Sequence, residues 1–244
     1  MAFPNESISK FQQMIWDIYG VPDDRLYSNW DLLSNLERFT MWSLKGIRKG
    51  KTGDIKINID QVNLPENINE SYSDIFSTTG IKFNLLVSFA WFLALTNRLH
   101  IDLENQVWQR FPNYCPYCGQ RPCHCAQWKE GKIKKGKISN QRPKTLSEYQ
   151  IMFKEIYPPQ NRTLEHAGVH LAEELGELSE ALHLFQGTHK KKYFNQLEKE
   201  TADYFSCLMG VANSVDFDFA HSFYQLFPEK CHVCNQKVCV CNFF

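Results

Sequence analysis

Two short acidic segments carry the side chains best suited to chemistry. They are "EELGE" at 173–177 and "ETAD" at 200–203, separated by 22 residues. Residues three apart share one face of a helix, so each segment can present two carboxylates together. These couples are Glu174 with Glu177, and Glu200 with Asp203.

The break "GTHK" at 187–190 predicts a helical hairpin that brings the two couples together. Glu174 and Asp203 are equally far from its centre, and so are Glu177 and Glu200, so each pair lies at one height in an antiparallel hairpin. Asp203 is also the only charged residue from 201 to 215, which predicts that it is buried. Clustered, partly buried carboxylates either take up protons or bind a cation, and an all-oxygen site suits Mg²⁺ or Mn²⁺. An exposed acidic helix face is the simpler alternative.

Eight of the nine cysteines fall into two clusters of identical spacing. "CPYCGQRPCHC" spans 115–125 and "CHVCNQKVCVC" spans 231–241. Four thiolates in so short a segment can close a tetrahedral Zn²⁺ shell. Packed reduced thiols, or one zinc site shared by both clusters, are the alternatives. The predicted ligands are Cys115, Cys118, Cys123 and Cys125 in the first cluster, and Cys231, Cys234, Cys239 and Cys241 in the second.

A longer internal repeat precedes the clusters. "SISKFQQMIWDIY" at 7–19 aligns with "TLSEYQIMFKEIY" at 145–157, and "VWQRFPNYC" before the first cluster aligns with "FYQLFPEKC" before the second. The offset is 138 residues at the front and 116 at the back, so the first copy has 22 extra residues, which we assign to a polar loop within 49–80. The sequence therefore predicts a first repeat over 1–126, a basic linker over 127–144 and a second repeat over 145–244.

Helices must position these side chains, because strand signals are weak throughout. In the second copy, hydrophobic periodicity predicts helices over 146–157, 164–186, 193–214 and 220–227. In the first copy, "FNLLVSFAWFLAL" at 83–95 is too short to span a membrane and predicts a buried helix. The predicted fold class is all-α, a helical bundle.

Charge and composition narrow the function classes. Basic and acidic residues balance at 27 each, so nucleic acid is not an expected partner. The start of the chain lacks the basic and apolar regions of a signal peptide. We expect a cytoplasmic protein that does not associate with membranes.

The paired acidic segments resemble the EExxE and ExxD motifs of the MazG-like, all-α nucleotide pyrophosphohydrolases, over about 146–214. The resemblance implies that a nucleoside triphosphate is cleaved into nucleoside monophosphate and pyrophosphate. It implies that Glu174, Glu177, Glu200 and Asp203 bind Mg²⁺, with Glu173 as a further ligand or a base that orients water. It also implies dimeric packing, here as a pseudo-dimer of the two repeats, with a homo-oligomer as a further assembly. The cysteine clusters depart from the family pattern.

The first copy lacks the acidic pattern. Asn84 and Val87 stand where the second copy has Glu200 and Asp203. That copy is therefore predicted to complete the bundle without binding the metal. Cationic contacts to the substrate phosphates are predicted from the hairpin and the start of "ETAD": Lys190, Lys191, Lys192 and Lys199.

These observations favour a Mg²⁺-dependent nucleotide pyrophosphohydrolase that is active in its second copy. The alternative is a non-enzymatic zinc protein that binds nucleic acid or a protein partner through its cysteine clusters and basic linker. The acidic quartet discriminates between them, because a binding module has no evident use for it.

Overall fold

The computed structural model describes residues 5–50, 80–125 and 141–241. Every regular secondary-structure element in these ranges is a helix, and none is a strand. The predicted all-α fold class is therefore confirmed for these ranges. The α-helices are α1 (Ile8–Leu26), α2 (Asn29–Arg48), α3 (Ile81–Arg98), α4 (Leu103–Arg110), α5 (Leu146–Ile156), α6 (Leu164–Thr188), α7 (Lys191–Val215) and α8 (Phe219–Leu226). A 3-10 turn, Pro159–Asn161, precedes α6.

Most of the predicted loop at 49–80 and of the linker at 127–144 lies outside the described ranges. The apolar run at 83–95 lies within α3, as predicted, and most of its residues are buried. No described helix is both long enough and apolar enough to cross a bilayer.

The helices of the second copy begin and end where local chemistry favours it. The Thr145 hydroxyl accepts from the Glu148 N–H at the start of α5, and the Thr163 hydroxyl accepts from the His166 N–H at the start of α6. His189 adopts the left-handed conformation, φ 51°, directly after α6. The chain therefore turns inside the predicted break, and α7 begins two residues later.

The structure divides into two compact units whose boundaries differ from those of the sequence repeats. Unit 1 contains the described parts of Ser9–His100 and Ala220–Phe244, and unit 2 contains Asn5–Ile8 and the described part of Ile101–Phe219. The first cysteine cluster and α4 thus belong to unit 2 with α5, α6 and α7. The second cluster belongs to unit 1 with α1, α2 and α3.

Unit 2 is organised around α7. The α6 helix packs along it, and α4 and α5 also contact it. Aromatic rings connect these elements: Phe153 of α5 lies edge-on to Phe205 of α7, and Phe111 after α4 lies edge-on to Phe153, with centroids 5.9 and 5.1 Å apart. The hairpin is therefore held by a buried core and not by its turn alone.

Unit 1 is organised around the packing of α2 against α3. Phe223 of α8 contacts Phe11 of α1 and Phe89 of α3, with centroid distances of 5.5 and 4.9 Å. These rings are fully buried, so α8 contributes to the core of this unit.

The two units contain matching contacts at matching positions. In unit 2 the Cys123 N–H donates to the Ile156 carbonyl over 2.7 Å, and in unit 1 the Cys239 N–H donates to the Ile18 carbonyl over 2.8 Å. The cysteines differ in number by 116 and the isoleucines by 138, the two offsets of the internal repeat. Ring pairs follow the same correspondence: Phe111 with Tyr157, and Phe227 with Tyr19.

Candidate functional site

Three carboxylates of unit 2 converge on one place in the α6–α7 hairpin. Glu174 extends from α6, and Glu200 and Asp203 extend from α7. One oxygen of each lies within 4.8 Å of the others. The antiparallel arrangement expected from the sequence is thus present at Glu174 and Asp203.

Glu177, the fourth predicted ligand, lies at the edge of this group. It is exposed and its oxygens fall outside the converging set. Its charge nevertheless contributes to raising the pKa of both Glu174 and Glu200. It is therefore close enough to act on the site electrostatically.

Arg110, the last residue of α4, binds Asp203 with two nitrogens. Its Nε donates to Oδ1 at 2.9 Å and Oδ2 at 3.1 Å, and its Nη2 donates to Oδ2 at 2.9 Å. The Asp203 side chain is 8% exposed, so this charge-assisted pair is largely shielded from water. Nη2 also donates to the Tyr117 hydroxyl at 3.0 Å, and the guanidinium lies over the Tyr117 ring.

Arg110 was not predicted as a site residue, because 93 residues separate it from Asp203. One signal could have found it. In the aligned segments "VWQRFPNYC" and "FYQLFPEKC", Arg110 stands where the second copy has Leu226. Leu226 is apolar and buried, whereas Arg110 carries a charge at the same position of the repeat. This difference indicates that Arg110 has an acidic partner in unit 2 whose counterpart in unit 1 is not acidic.

The site holds more negative charge than Arg110 neutralises. The pKa of Glu174 is raised to about 7, first by burial and then by the charges of Asp203, Glu177 and Glu200, while Arg110 lowers it. The Glu174 Oε2 is buried and has no hydrogen-bond partner among the described residues. Burial likewise raises the pKa of Glu200, followed by the charge of Asp203. Such a group either takes up a proton or binds a cation.

The other predicted site residues are found elsewhere on the hairpin. The Glu173 Oε2 lies 2.9 Å from Nδ1 of His170, and its side chain is 57% exposed, so it is not one of the converging carboxylates. Lys199 is exposed, and its charge lowers the pKa of the neighbouring Glu200. Lys190, Lys191 and Lys192 are exposed at the hairpin turn, where the Lys192 Nζ lies 4.5 Å from the centre of the Tyr193 ring.

Each cysteine cluster gathers its own four sulfurs. All nine cysteines are free thiols, and within each cluster the four Sγ atoms lie within 4.8 Å of one another. Three of the Sγ separations are 3.6 Å for Cys115–Cys125, 3.8 Å for Cys118–Cys123 and 3.8 Å for Cys231–Cys241. A Zn–S bond of about 2.3 Å requires tetrahedron edges of about 3.8 Å. Both clusters therefore have a geometry that can hold zinc.

Unit 1 has no equivalent acidic site among its described residues. Asn84 and Val87 are buried in α3 at the positions that correspond to Glu200 and Asp203. In α2, the Asp31 carboxylate accepts from the Ser28 N–H and hydroxyl in a capping box. This carboxylate therefore serves the start of the helix and not a metal.

No protein-family model, curated protein or solved structure matches this chain. The resemblance to MazG-like enzymes therefore stays a prediction that depends on the two acidic segments.

Proposed function

We propose that this protein hydrolyses nucleoside triphosphates between the α and β phosphates, using Mg²⁺ or Mn²⁺. The observation that carries the proposal is the convergence of Glu174, Glu200 and Asp203 in unit 2. A buried carboxylate oxygen such as Glu174 Oε2, which has no hydrogen-bond partner within the ranges that the structure describes, is unfavourable unless it is protonated or a cation binds it. The donors are all oxygens, which suits a hard divalent cation.

The residues of the hairpin have distinct roles in this proposal. Glu174, Glu200 and Asp203 would hold the cation, and Glu177 would add negative charge at the rim. When bound, Mg²⁺ neutralises phosphate charge and makes a water molecule a better nucleophile near neutral pH. Arg110 orients Asp203 by binding both of its oxygens, and Tyr117 in turn accepts from Arg110.

Lysines of the hairpin are proposed to contact the phosphates. Lys199 is next to Glu200 in sequence, and its charge acts on that carboxylate. Lys190, Lys191 and Lys192 supply three further exposed amines at the turn. Exposed amines bind phosphate as mobile point charges, so each is expected to contribute modestly.

We further propose one structural zinc ion in each cysteine cluster. The Sγ separations agree with the edges of a Zn²⁺ tetrahedron, and each cluster has four sulfurs of its own. These facts favour two separate sites over one shared site. Backbone N–H groups support the sulfurs: those of His124 and Cys125 donate to Cys118 and Cys123 Sγ at 3.4 Å.

The chain is, in this proposal, a tandem MazG-like duplication whose copies exchange their C-terminal parts. The matched hydrogen bonds from Cys123 to Ile156 and from Cys239 to Ile18 support it. Through the exchange, the first copy supplies Arg110 and Tyr117 to the acidic site of the second. A copy without its own carboxylates would in this way still contribute to catalysis.

The test is a screen of nucleoside triphosphates with Mg²⁺, in which the products are identified by chromatography. We expect nucleoside monophosphate and pyrophosphate in equal amounts, and loss of both in Glu200→Gln. Glu180→Gln is a matched control, because Glu180 is an exposed glutamate of α6 outside the converging set. No hydrolysis of any nucleotide by zinc-loaded protein would favour the non-enzymatic alternative, and release of orthophosphate alone would contradict cleavage between α and β.

A further inference from the structure

Arg162 is a half-buried arginine for which no carboxylate partner is found among the described residues. It follows the 3-10 turn and directly precedes Thr163, the capping residue of α6. Its guanidinium lies 5.9 Å from the centre of the Tyr157 ring. Its Nε is buried and has no hydrogen-bond partner among the described residues.

Four other arginines in the described ranges have carboxylate partners. Arg110 binds Asp203, and further ion pairs join Arg98 to Asp24, Arg121 to Glu155 and Arg142 to Glu104. A guanidinium presents five donors, and leaving buried donors unpaired is unfavourable. Arg162 therefore has unused capacity for an anionic ligand.

Gly210 of α7 makes room for this arginine. A Cβ added at Gly210 would overlap the Arg162 Nη2, so a side chain there would displace the guanidinium. With the repeat offsets, Arg162 and Gly210 correspond to Asp24 and Ala94, which line one crevice in unit 1. The combination of arginine and glycine is therefore found in the unit that has the acidic site.

Arg162 lies on the same side of α7 as the carboxylates. Asp203, Cys207 and Gly210 follow one another at spacings of four and three residues, which places them on one helix face. Cys207 lies within electrostatic range of both Glu174 and Arg162. At a rise of about 1.5 Å per residue, Gly210 is about 10 Å along the helix axis from Asp203. A group bound at the acidic site and extending along α7 would reach the guanidinium.

A role in balancing the charge of a zinc-thiolate cluster is the main alternative, because Cys123 is also near Arg162. The second cluster has the same cysteine spacing, but Asp24 stands in the place of Arg162 and is paired with Arg98, so no arginine without a carboxylate partner is needed beside that cluster. An anionic ligand accounts for an arginine that is present in unit 2 and is replaced by Asp24 in unit 1.

We propose that Arg162 binds the β and γ phosphates of the nucleoside triphosphate, and so holds the pyrophosphate portion along α7. This inference rests on the proposed function for its substrate. It requires in addition that inorganic pyrophosphate with Mg²⁺ binds the protein through Arg162. That requirement can be measured without any turnover.

The experiment compares Arg162→Gln and Arg162→Lys with Arg121→Gln, which removes an arginine that already has a carboxylate partner. Calorimetry measures the binding of magnesium pyrophosphate, and zinc content and thermal unfolding are recorded for each variant. We expect Arg162→Gln to weaken binding on the order of tenfold or more and to raise KM more than it lowers kcat. Arg162→Lys should recover part of the affinity, and Arg121→Gln should match the parent.

Unchanged pyrophosphate affinity in Arg162→Gln, or loss of zinc from the first cluster with unchanged affinity, would overturn the inference. If the variant fails to fold, the parent protein supplies the test. Saturating magnesium pyrophosphate should slow the reaction of Arg162 with phenylglyoxal, read by peptide mass spectrometry, and leave Arg121 unaffected. Equal rates at Arg162 with and without pyrophosphate would overturn it. A parent that binds pyrophosphate through Arg162 but hydrolyses no nucleotide would contradict the proposed function alone.

Discussion

Arg110 holds both carboxylate oxygens of Asp203, with donor to acceptor distances of 2.9 to 3.1 Å, although α4 and α7 come from different copies of the sequence repeat. This ion pair changes how the acidic site must be understood. From sequence, Asp203 is one of four repelling carboxylates without compensation. In the structure it is the neutralised member, while Glu174 has a buried oxygen with no hydrogen-bond partner in the described part of the chain.

We predict that Arg110→Gln destabilises the metal-free protein by about 2 kcal/mol, because it leaves a buried carboxylate without its cation. The same change should tighten Mg²⁺ binding, since a positive charge beside the ligands is removed. Chemical denaturation in chelator and calorimetric Mg²⁺ titration measure the two effects. Weaker Mg²⁺ binding in the variant would contradict this prediction and would show that the loss of Asp203 orientation outweighs the removal of the positive charge.

Glu174→Gln and Asp203→Asn should have opposite effects on the stability of the metal-free protein at pH 8. Glu174→Gln removes a charge that is disfavoured by burial and repulsion, so the free energy of unfolding should rise. Asp203→Asn removes the partner of Arg110, so the free energy of unfolding should fall by about 2 kcal/mol. If both changes destabilise equally in chelator, Glu174 has a structural partner and our description of the charge balance is wrong.

The raised pKa of Glu174 predicts how the stability of the protein depends on pH. Its pKa rises from 4.5 to about 7 in the folded protein, so the folded state binds the proton more tightly than the unfolded state. Its stabilising contribution is therefore complete below pH 4.5 and is lost as the pH rises through about 7. In chelator, the unfolding free energy of the parent should fall relative to that of Glu174→Gln between pH 5 and 8, by on the order of 2 kcal/mol. Glu180→Gln should follow the parent, and a constant difference between parent and Glu174→Gln would contradict the shift.

The exchanged arrangement predicts unequal effects of two matched cysteine changes. Cys118→Ser and Cys234→Ser alter corresponding positions, and each should reduce zinc from about two ions per chain to about one. Cys118→Ser should reduce hydrolysis at least tenfold, because Tyr117, which accepts a hydrogen bond from Arg110, lies inside the same cluster. Cys234→Ser should leave the acidic site largely active. Equal loss of activity in both variants would contradict the exchange.

The local features of this site could be predicted from sequence. Helical periodicity and the break at 187–190 depend only on neighbouring residues. The approach of Glu174 to Asp203 therefore follows from their equal distances in sequence from the centre of the break. The cysteine clusters could be predicted equally well, because all four proposed ligands of each cluster lie in one short segment.

The pairing of segments could not be predicted in the same way. Nothing in local periodicity states that α4 and the first cysteine cluster join α5 to α7, so the partner of Asp203 was missed. Arg162 was missed for a related reason. The position of its guanidinium depends on the absence of a side chain at Gly210, a contact between residues far apart in sequence.

The most direct measurement of the central claim is the binding of Mn²⁺ to the zinc-loaded protein, followed by electron paramagnetic resonance as free Mn²⁺ disappears from solution. Glu200→Gln serves as the comparison, because it removes a converging carboxylate and leaves the Arg110–Asp203 pair intact. We predict saturable binding of Mn²⁺ to the parent, at least tenfold weaker binding to Glu200→Gln, and competition by Mg²⁺. Equal Mn²⁺ binding by the parent and Glu200→Gln, or none by the parent, would contradict a metal site formed by Glu174, Glu200 and Asp203.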